Sequence, residues 1–285
     1  MYRYDADLEF LGEMTNEDLA LLANVIIFDP KDQKKRLTEG VTSTEEYQKY
    51  GKQYKMYWKV LAEELQKYGG DSIVNVLRGG KGVLYKEILL DAASKVVDDL
   101  DKKASVIDIE NNYIKSLLDK AFEKMSKEEK QLFLAEIYSA CIEKNLKGFA
   151  DNLLSKMKED SKKAFDFLLK NLLEGASSLV KNMGSTVGKA IGAAIAAKLA
   201  PIIVQTIFGT ATTTATTTAA KGASCLLASG VAGARALGGG LASGGFAALI
   251  FVALLLPSFT STALRVTMPA CFIVATLRIK YLSEH

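Results

Sequence analysis

Aromatic rings and lysines alternate over residues 47–59, YQKYGKQYKMYWK. The four tyrosines recur at the spacing i, i+3, i+7 and i+10, which places them on one face of a helix with lysines at its edges. Rings that stack on bases, beside lysines that neutralise phosphates, are what the binding of a single nucleic-acid strand requires. The pattern predicts either such a ligand surface or an amphipathic core helix with a solvated lysine rim. The ligand-binding residues of the first alternative are Lys49, Lys52, Tyr54, Lys55 and Trp58.

A glycine-rich stretch, NVLRGGKGVLYKE at residues 75–87, has the composition of an anion-binding loop. Its closely spaced glycines allow backbone N–H groups to curl toward an anion, and the positive end of the following helix would add to the attraction. Arg78, Lys81 and Lys86 are the candidate ligands. The GxxxxGK[ST] spacing of a nucleotide-binding P-loop is not met. The alternative is a connection between two helices that needs glycines to turn.

Residue types that several kinds of catalysis need are scarce in this chain. The one histidine is the last residue, His285, which argues against Ser-His-Asp or Cys-His catalysis and against a multi-histidine metal site. Cys141, Cys225 and Cys271 are far apart and form no CxxC pair, so we interpret them as buried, small apolar side chains. We expect no enzymatic activity, no cofactor and no metal.

The elements that would position these residues are helices. Residues 1–175 carry apolar residues at helical spacing and no alternating β pattern of useful length. Pairs of capping residues predict where three of the helices begin. These pairs are Thr15 with Asp18, Ser43 with Glu46, and Ser126 with Glu129. The second helix is predicted to continue to Gly69 and Gly70. Because the N-terminus lacks the apolar run of a secretory signal, we expect residues 1–175 to be a cytosolic all-α sensor or regulatory domain.

Charge divides the chain into two parts. Residues 176–285 contain eight basic residues and one acidic residue, whereas residues 1–175 contain 28 basic and 32 acidic residues. An almost acid-free, apolar and basic half is typical of a segment that associates with a membrane. We therefore predict a second domain, residues 176–285, that is membrane-associated and helical.

Uncharged runs in the second half locate the predicted spans. No charge occurs over residues 199–220 or over residues 236–264. Since about 20 apolar residues cross the hydrocarbon core as a helix, we predict spans near residues 190–208 and 246–264. A third apolar stretch, residues 266–277, is too short to span, and is re-entrant, interfacial or packed in the protein. A hairpin of two spans would place Lys181, Arg278 and Lys280 together on the cytoplasmic face.

Small residues recur at every fourth position in the first predicted span. This spacing lets helix backbones approach closely, as apolar helices do when they associate in lipid. The helix-packing residues are Gly184, Gly188, Gly192 and Ala196. Cations and hydroxyls in the same half would face a wet lumen, because a lysine in mid-membrane costs about 2.5–3.5 kcal/mol. The pore-lining candidates are Lys189, Lys198, Thr212, Thr213 and Thr216. The alternatives are a membrane anchor without a pore and a soluble protein with glycine-rich core helices.

Three stretches of the chain resemble one bacterial family, the poorly characterised YaaW-like proteins. They are DLEFL at residues 7–11, the run from AEELQKYGG to AASKV at residues 62–96, and RVTMPACFIVATLR at residues 265–278. Part of that family has been likened to ubiquinol–cytochrome c chaperone domains, which implies a role in assembly. The layout, a helical domain followed by a glycine-rich apolar segment, also resembles membrane effectors of antiphage defence systems. The resemblance supplies no catalytic residues.

The sequence thus predicts an all-α protein that forms a homo-oligomeric, pore-forming channel in the bacterial inner membrane. Its cytosolic domain would gate the channel on binding an anionic nucleotide, a single-stranded oligonucleotide or a regulatory protein. Antiphage defence or abortive infection would fit such an effector. One alternative is a membrane-tethered assembly chaperone of a respiratory or other membrane complex. Another is an anchored nucleic-acid-binding module.

Overall fold

The computed structural model describes residues 2–29, 34–69, 82–143, 145–181 and 263–284, and these residues form helices. In chain order the α-helices are α1 Asn16–Ile27, α2 Glu45–Tyr50, α3 Trp58–Gly69, α4 Tyr85–Ala93, α5 Val106–Lys124, α6 Lys127–Glu143, α7 Lys147–Glu159, α8 Ser161–Lys181 and α9 Leu264–Glu284. Short 3-10 helices occur at Glu9–Glu13, Val41–Ser43 and Tyr54–Tyr57. Within these ranges the one β interaction is an isolated bridge between Phe28 and Lys35. The predicted all-α fold is confirmed.

Contacts divide the chain into two compact units. Unit 1 consists of residues 1–118 together with residues 257–285, and unit 2 consists of residues 119–256. The last helix, α9, therefore belongs to the same unit as the N-terminus, although the charge pattern groups its residues with the second half of the chain. Unit 2 is an insertion in the sequence of unit 1.

Side-chain caps set the helix starts, largely as predicted. The Thr15 hydroxyl accepts from the Asp18 N–H, and the Asp18 carboxylate accepts from the Thr15 N–H, which completes a capping box. The same reciprocal pair joins Ser126 and Glu129, at 2.7 and 3.2 Å. The predicted box at Ser43 is wrong, because Thr44 caps α2 by accepting from the Tyr47 N–H. Ser43 belongs to the preceding 3-10 turn.

The predicted continuous helix over residues 43–69 is also wrong, because the chain breaks at Gly51. This glycine has φ of +57°, a backbone conformation that is strained for residues with a Cβ. It ends α2 after six residues. A 3-10 turn, Tyr54–Tyr57, then leads into α3. The Tyr57 hydroxyl donates to the Gly51 carbonyl and fixes the turn. The four tyrosines consequently do not share one helical face.

Helix α9 forms the core of unit 1. Its residues from Val266 to Ile279 are all buried, and it packs against α1, α3, α4 and the 3-10 helix Glu9–Glu13. Residues 266–277 therefore pack in the protein, one of the three predicted alternatives. Arg265 and Arg278, which flank this apolar stretch in the sequence, lie within one helix of 21 residues.

Pro269 lies inside α9 without ending it. Since proline has no N–H, the carbonyl of Arg265 loses its usual helical donor four residues later. The guanidinium of Arg36 donates to this carbonyl at 3.5 Å, and its Nε donates to the Val25 carbonyl at 3.2 Å. Arg36 thus joins the start of α9 to the end of α1.

Unit 2 has its own aromatic core. Helices α6, α7 and α8 pack on one another. The rings of Phe122 and Phe165 stack with centroids 4.1 Å apart, and Phe133 meets Phe122 edge-on at 6.3 Å. Phe149 stacks on Phe167 at 5.0 Å. These five rings come from α5, α6, α7 and α8.

No helix in the described ranges is both long and apolar enough to cross a bilayer. The predicted spans at residues 190–208 and 246–264 lie outside the described residues, apart from Ala263 and Leu264 at the end of the second. The helix-packing and pore-lining candidates all lie outside them as well. These are Gly184, Gly188, Gly192, Ala196, Lys189, Lys198, Thr212, Thr213 and Thr216.

Candidate functional site

A buried ion pair joins α9 to α5. Arg278 on α9 donates through Nε to Oε2 of Glu110 on α5 at 2.7 Å, and the two residues are 9% and 2% exposed. The Arg278 Nη2 donates to the Asp7 carbonyl at 2.7 Å, and the Phe10 ring lies 4.6 Å from the guanidinium carbon. On the other side of the pair, the Tyr85 hydroxyl donates to Oε1 of Glu110 at 2.9 Å. Both charges are therefore enclosed by hydrogen bonds and rings.

Electrostatics hold the guanidinium in its charged form. Burial, the largest single influence, acts to lower the pKa of Arg278, but Glu110, Tyr85 and Asp7 together outweigh it, so that the pKa is raised. Burial raises the pKa of Glu110, and the guanidinium and the two hydrogen bonds act in the opposite direction. The charged form of each side chain is thus stabilised by the other, because burying an unpaired charge has a high free-energy cost.

Two further contacts tie α9 to neighbouring helices. The Tyr113 hydroxyl donates to the Met268 carbonyl at 2.8 Å, in the first half of α9. Near the other end, Lys280 Nζ donates to the Asp18 carboxylate at 2.6 Å, the same carboxylate that completes the capping box of α1. We call the set of side chains that fasten α9 the α9 clamp. It consists of Asp18, Tyr85, Glu110, Tyr113, Arg278 and Lys280.

The α9 clamp accounts for two of the basic residues in the second half of the sequence. Arg278 and Lys280 are paired with acidic side chains inside unit 1, and their predicted grouping with Lys181 on the cytoplasmic face stays a prediction. The burial of Glu110 could have been predicted from the sequence, since Glu110 lies on the apolar stripe of α5 that includes Tyr113 and Leu117. An acidic residue at such a position needs a cationic partner. Nothing in the sequence identified that partner, which is 168 residues away.

The aromatic and basic residues of the stretch 47–59 separate in the structure. Tyr54 and Tyr57 face the interior, 5% and 4% exposed, with ring centroids 6.0 Å apart. Lys49, Lys52 and Lys55 are exposed, and Trp58 is half-buried. Burial raises the pKa of Tyr54. The structure thus brings the predicted lysines and Trp58 to the surface and keeps Tyr54 away from it; the ligand-binding role of this stretch stays a prediction.

An internal carboxylate occupies the helix start that was predicted to attract an anion. The N–H of Tyr85, the first residue of α4, donates to Oδ2 of Asp5 at 2.6 Å. Lys86 donates through Nζ to the Ala104 carbonyl at 2.8 Å. Arg78 and Lys81 lie outside the described residues. At Tyr85, the N–H that was predicted to contact a bound anion therefore contacts the carboxylate of Asp5.

The N-terminal segment is held in place next to this carboxylate. The Gln66 amide accepts from the Arg3 N–H at 3.0 Å and donates to the Arg3 carbonyl at 2.8 Å. Arg3 Nη1 donates to the Gly82 carbonyl at 3.2 Å. These contacts position Asp5 at α4 and the Asp7 carbonyl at Arg278.

Two of the three cysteines are buried, as predicted. Cys141 and Cys271 have no exposed surface and form no disulfide, while Cys225 lies outside the described residues. Burial raises the pKa of Cys141 to about 12 and raises that of Cys271 as well. Across the described ranges, no group of three or more His, Cys, Asp or Glu side chains could hold a metal ion.

These two thiols should resist modification in the folded protein. In a Cys225→Ala chain near pH 8, we expect an aromatic disulfide reagent to react about a thousand times more slowly than in denaturant, because both thiols are buried and remain protonated. Release of the coloured thiol product measures the rate. Rapid labelling of one thiol per native chain would show that one of these helices is open to solvent.

The sequence of this chain is similar to that of several bacterial proteins. A family model described as "Domain of unknown function (DUF3944)" matches residues 2–37, which include Asp7, Asp18 and Arg36. The chain is 40% identical over 152 residues to a "UPF0174 protein" of Helicobacter pylori (strain J99 / ATCC 700824), covering 53% of this chain and 56% of the relative. It is 37% identical over 136 residues to "UPF0174 protein YaaW" of Escherichia coli (strain K12), covering 47% of this chain and 56% of the relative.

The predicted resemblance to YaaW-like proteins is confirmed by these matches. The chain spans about half the length of these curated relatives. No solved structure matches it.

Proposed function

We infer that this chain, which is similar over about half its length to UPF0174 proteins, forms an oligomeric, channel-like assembly in the bacterial inner membrane. Its residues 182–262 would form the membrane part, and the helices between residues 2 and 181 together with α9 would lie in the cytosol and control it. The uncharged runs at residues 199–220 and 236–264 and the small residues at every fourth position support a membrane segment with closely packed helices. An effector of antiphage defence or abortive infection would use such a channel to depolarise its own cell.

The observation that carries the proposal is the position of α9. This helix begins at Leu264, the last residue of the predicted span 246–264, and continues as the buried core of unit 1. Only the turn at Ala263 separates the described start of this helix from the rest of the predicted span. Movement of such a span in the membrane would strain the packing of unit 1 through α9.

Chain continuity also favours two crossings over one. Helix α5 continues from unit 1 into unit 2 without a break, and α6, α7 and α8 carry charged residues along their length. We therefore place the start of residues 182–262 on the same side of the membrane as unit 1, to which their end returns. An even number of spans follows, in agreement with the two that are predicted.

Substitution of Lys198 tests the channel. In liposomes containing the purified full chain, we expect release of a trapped ion, and we expect Lys198→Leu to lower it by at least about tenfold, because a lumen-facing cation would be lost. Lys221→Leu is the matched control, since it removes the same charge between the predicted spans. A chain cut at residue 175 is unsuitable as a control because it lacks α9.

Two results would contradict the channel. Liposomes that release no ion under any condition would contradict the channel itself. Equal release by Lys198→Leu and wild type would show that Lys198 does not face the lumen. Tight liposomes together with a client protein that co-purifies in stoichiometric amounts would instead favour the membrane-tethered assembly chaperone.

A further inference from the structure

Four lysines form an unneutralised surface beside Gly51. Residues 47–62 contain no acidic residue, and the lysines at 49, 52, 55 and 59 are all exposed. None of the four forms a salt bridge with any residue that the structure describes. By contrast, Lys35, Lys67 and Lys95 of the same unit each pair with a carboxylate at 3.8 Å or less. Acidic pairs at residues 45–46 and 63–64 flank this stretch, and between them the four exposed lysine side chains are available to an external anion.

An apolar side chain protrudes among these lysines. Met56 is 59% exposed, which is unusual for a large hydrophobic residue in the described part of unit 1. The 3-10 turn explains its direction, because Tyr54 and Tyr57 are one turn apart and both face inward. Met56 lies between Lys55 and Lys59 in the sequence, so the surface combines a flexible apolar side chain with cations on both sides.

The aromatic rings of this region are poorly placed to stack on bases. Tyr54 and Tyr57 are buried. Lys49 Nζ lies 4.9 Å from the Tyr50 ring centre, and Lys59 Nζ lies 5.5 Å from that of Trp58. The Trp58 ring also meets the Tyr2 ring edge-on at 5.6 Å. A single-stranded nucleic acid needs free ring faces as well as cations, and here a lysine lies over the Tyr50 ring and another over the Trp58 ring.

We propose that Lys49, Lys52, Lys55 and Lys59, with Met56 between them, form a docking surface for an anionic lipid bilayer. The lysines lie against lipid phosphates, and Met56 enters the boundary between headgroups and acyl chains. Basic residues with an adjacent apolar side chain suit this boundary, which is negative outside and apolar within. The inference stands on exposure and charge, and it holds whether or not residues 182–262 conduct ions.

Trp58 supplies the readout, because it is the only tryptophan of the chain and its ring lies beside this surface, 5.5 Å from Lys59 Nζ. Brominated lipids quench tryptophan at short range, so Trp58 fluorescence of the full chain reports contact between this surface and the bilayer. The probes are phosphatidylcholine vesicles with and without phosphatidylglycerol, part of the lipid being brominated. We expect quenching with phosphatidylglycerol, little without it, and loss of quenching at high salt.

Charge reversal tests the assignment. Lys52→Glu with Lys55→Glu should weaken the apparent affinity for anionic vesicles by at least about 30-fold, and Met56→Ala by about threefold. The matched control is Lys102→Glu with Lys103→Glu, two exposed lysines of the same unit with the same change in net charge. That control should stay within about twofold of wild type. Far-UV circular dichroism confirms that each variant is folded.

Three results would overturn the proposal. Equal quenching by neutral and anionic vesicles would show that charge does not direct the contact. An equal loss in the control pair would show that net charge alone acts. A single-stranded oligonucleotide could also displace the vesicles from the protein. If Lys52→Glu with Lys55→Glu then abolished binding of that oligonucleotide, the surface would be a nucleic-acid site.

Discussion

Replacing Arg278 by methionine is expected to lower the free energy of unfolding of unit 1 by about 3–5 kcal/mol. The substitution leaves the Glu110 carboxylate buried without its cation, and it also removes the donor to the Asp7 carbonyl. Glu110→Met should have a similar cost, because it isolates the guanidinium. Combining the two should recover most of the loss, since two apolar side chains of similar volume then replace the pair.

Urea denaturation of the full chain, followed by Trp58 fluorescence, measures these free energies for unit 1. Trp58 is suited to this because its ring packs on Tyr2 and Gly12 within that unit. Lys95→Met is the control, since its pair with Asp91 is exposed and should contribute less than about 1 kcal/mol. Additive effects of Arg278→Met and Glu110→Met would contradict the pairing, because partners in contact must couple.

Phe272→Ala is the second substitution with a large expected effect. Phe272 has no exposed surface and lies at the middle of α9, so its removal opens a cavity in the centre of unit 1. Loss of the buried ring and the cavity together should cost about 3–5 kcal/mol of unfolding free energy. The same urea and Trp58 measurement gives the value.

Met56→Ala is the control for this truncation, because it removes an exposed apolar side chain of the same unit and should change stability by less than about 0.5 kcal/mol. If Phe272→Ala changed stability as little as Met56→Ala, α9 would not form the core of unit 1. The coupling between the membrane segment and the helical unit would then lose its structural basis.

Local features of this fold were predictable, and long-range ones were not. The starts of α1 and α6 follow from capping boxes, because a cap and its partner lie within three residues of each other. Gly51 broke the predicted helix over residues 43–69, since periodicity alone does not distinguish a helical glycine from one with positive φ. The predicted aromatic face does not exist, because the tyrosine spacing places the rings together only if the helix continues through Gly51.

Helix α9 shows a different limit of sequence interpretation. A core helix that is buried on every side has no polar face, and so its pattern resembles that of a membrane segment. The sequence therefore left residues 266–277 as re-entrant, interfacial or packed, and it gave no sign that Arg278 and Lys280 pair with carboxylates, which are more than 160 residues away. The acidic residue on the apolar stripe of α5, Glu110, was the available sign that a buried cation was required.

The most direct test of the coupling is ion release from liposomes by four forms of the full chain. They are wild type, Arg278→Met, Glu110→Met with Arg278→Met, and Lys95→Met. If the α9 clamp restrains the membrane segment, Arg278→Met should raise release by at least about tenfold, which corresponds to a shift of about 1.4 kcal/mol toward the open state. The double variant and Lys95→Met should stay within about twofold of wild type. Equal release by all four forms would contradict control through α9.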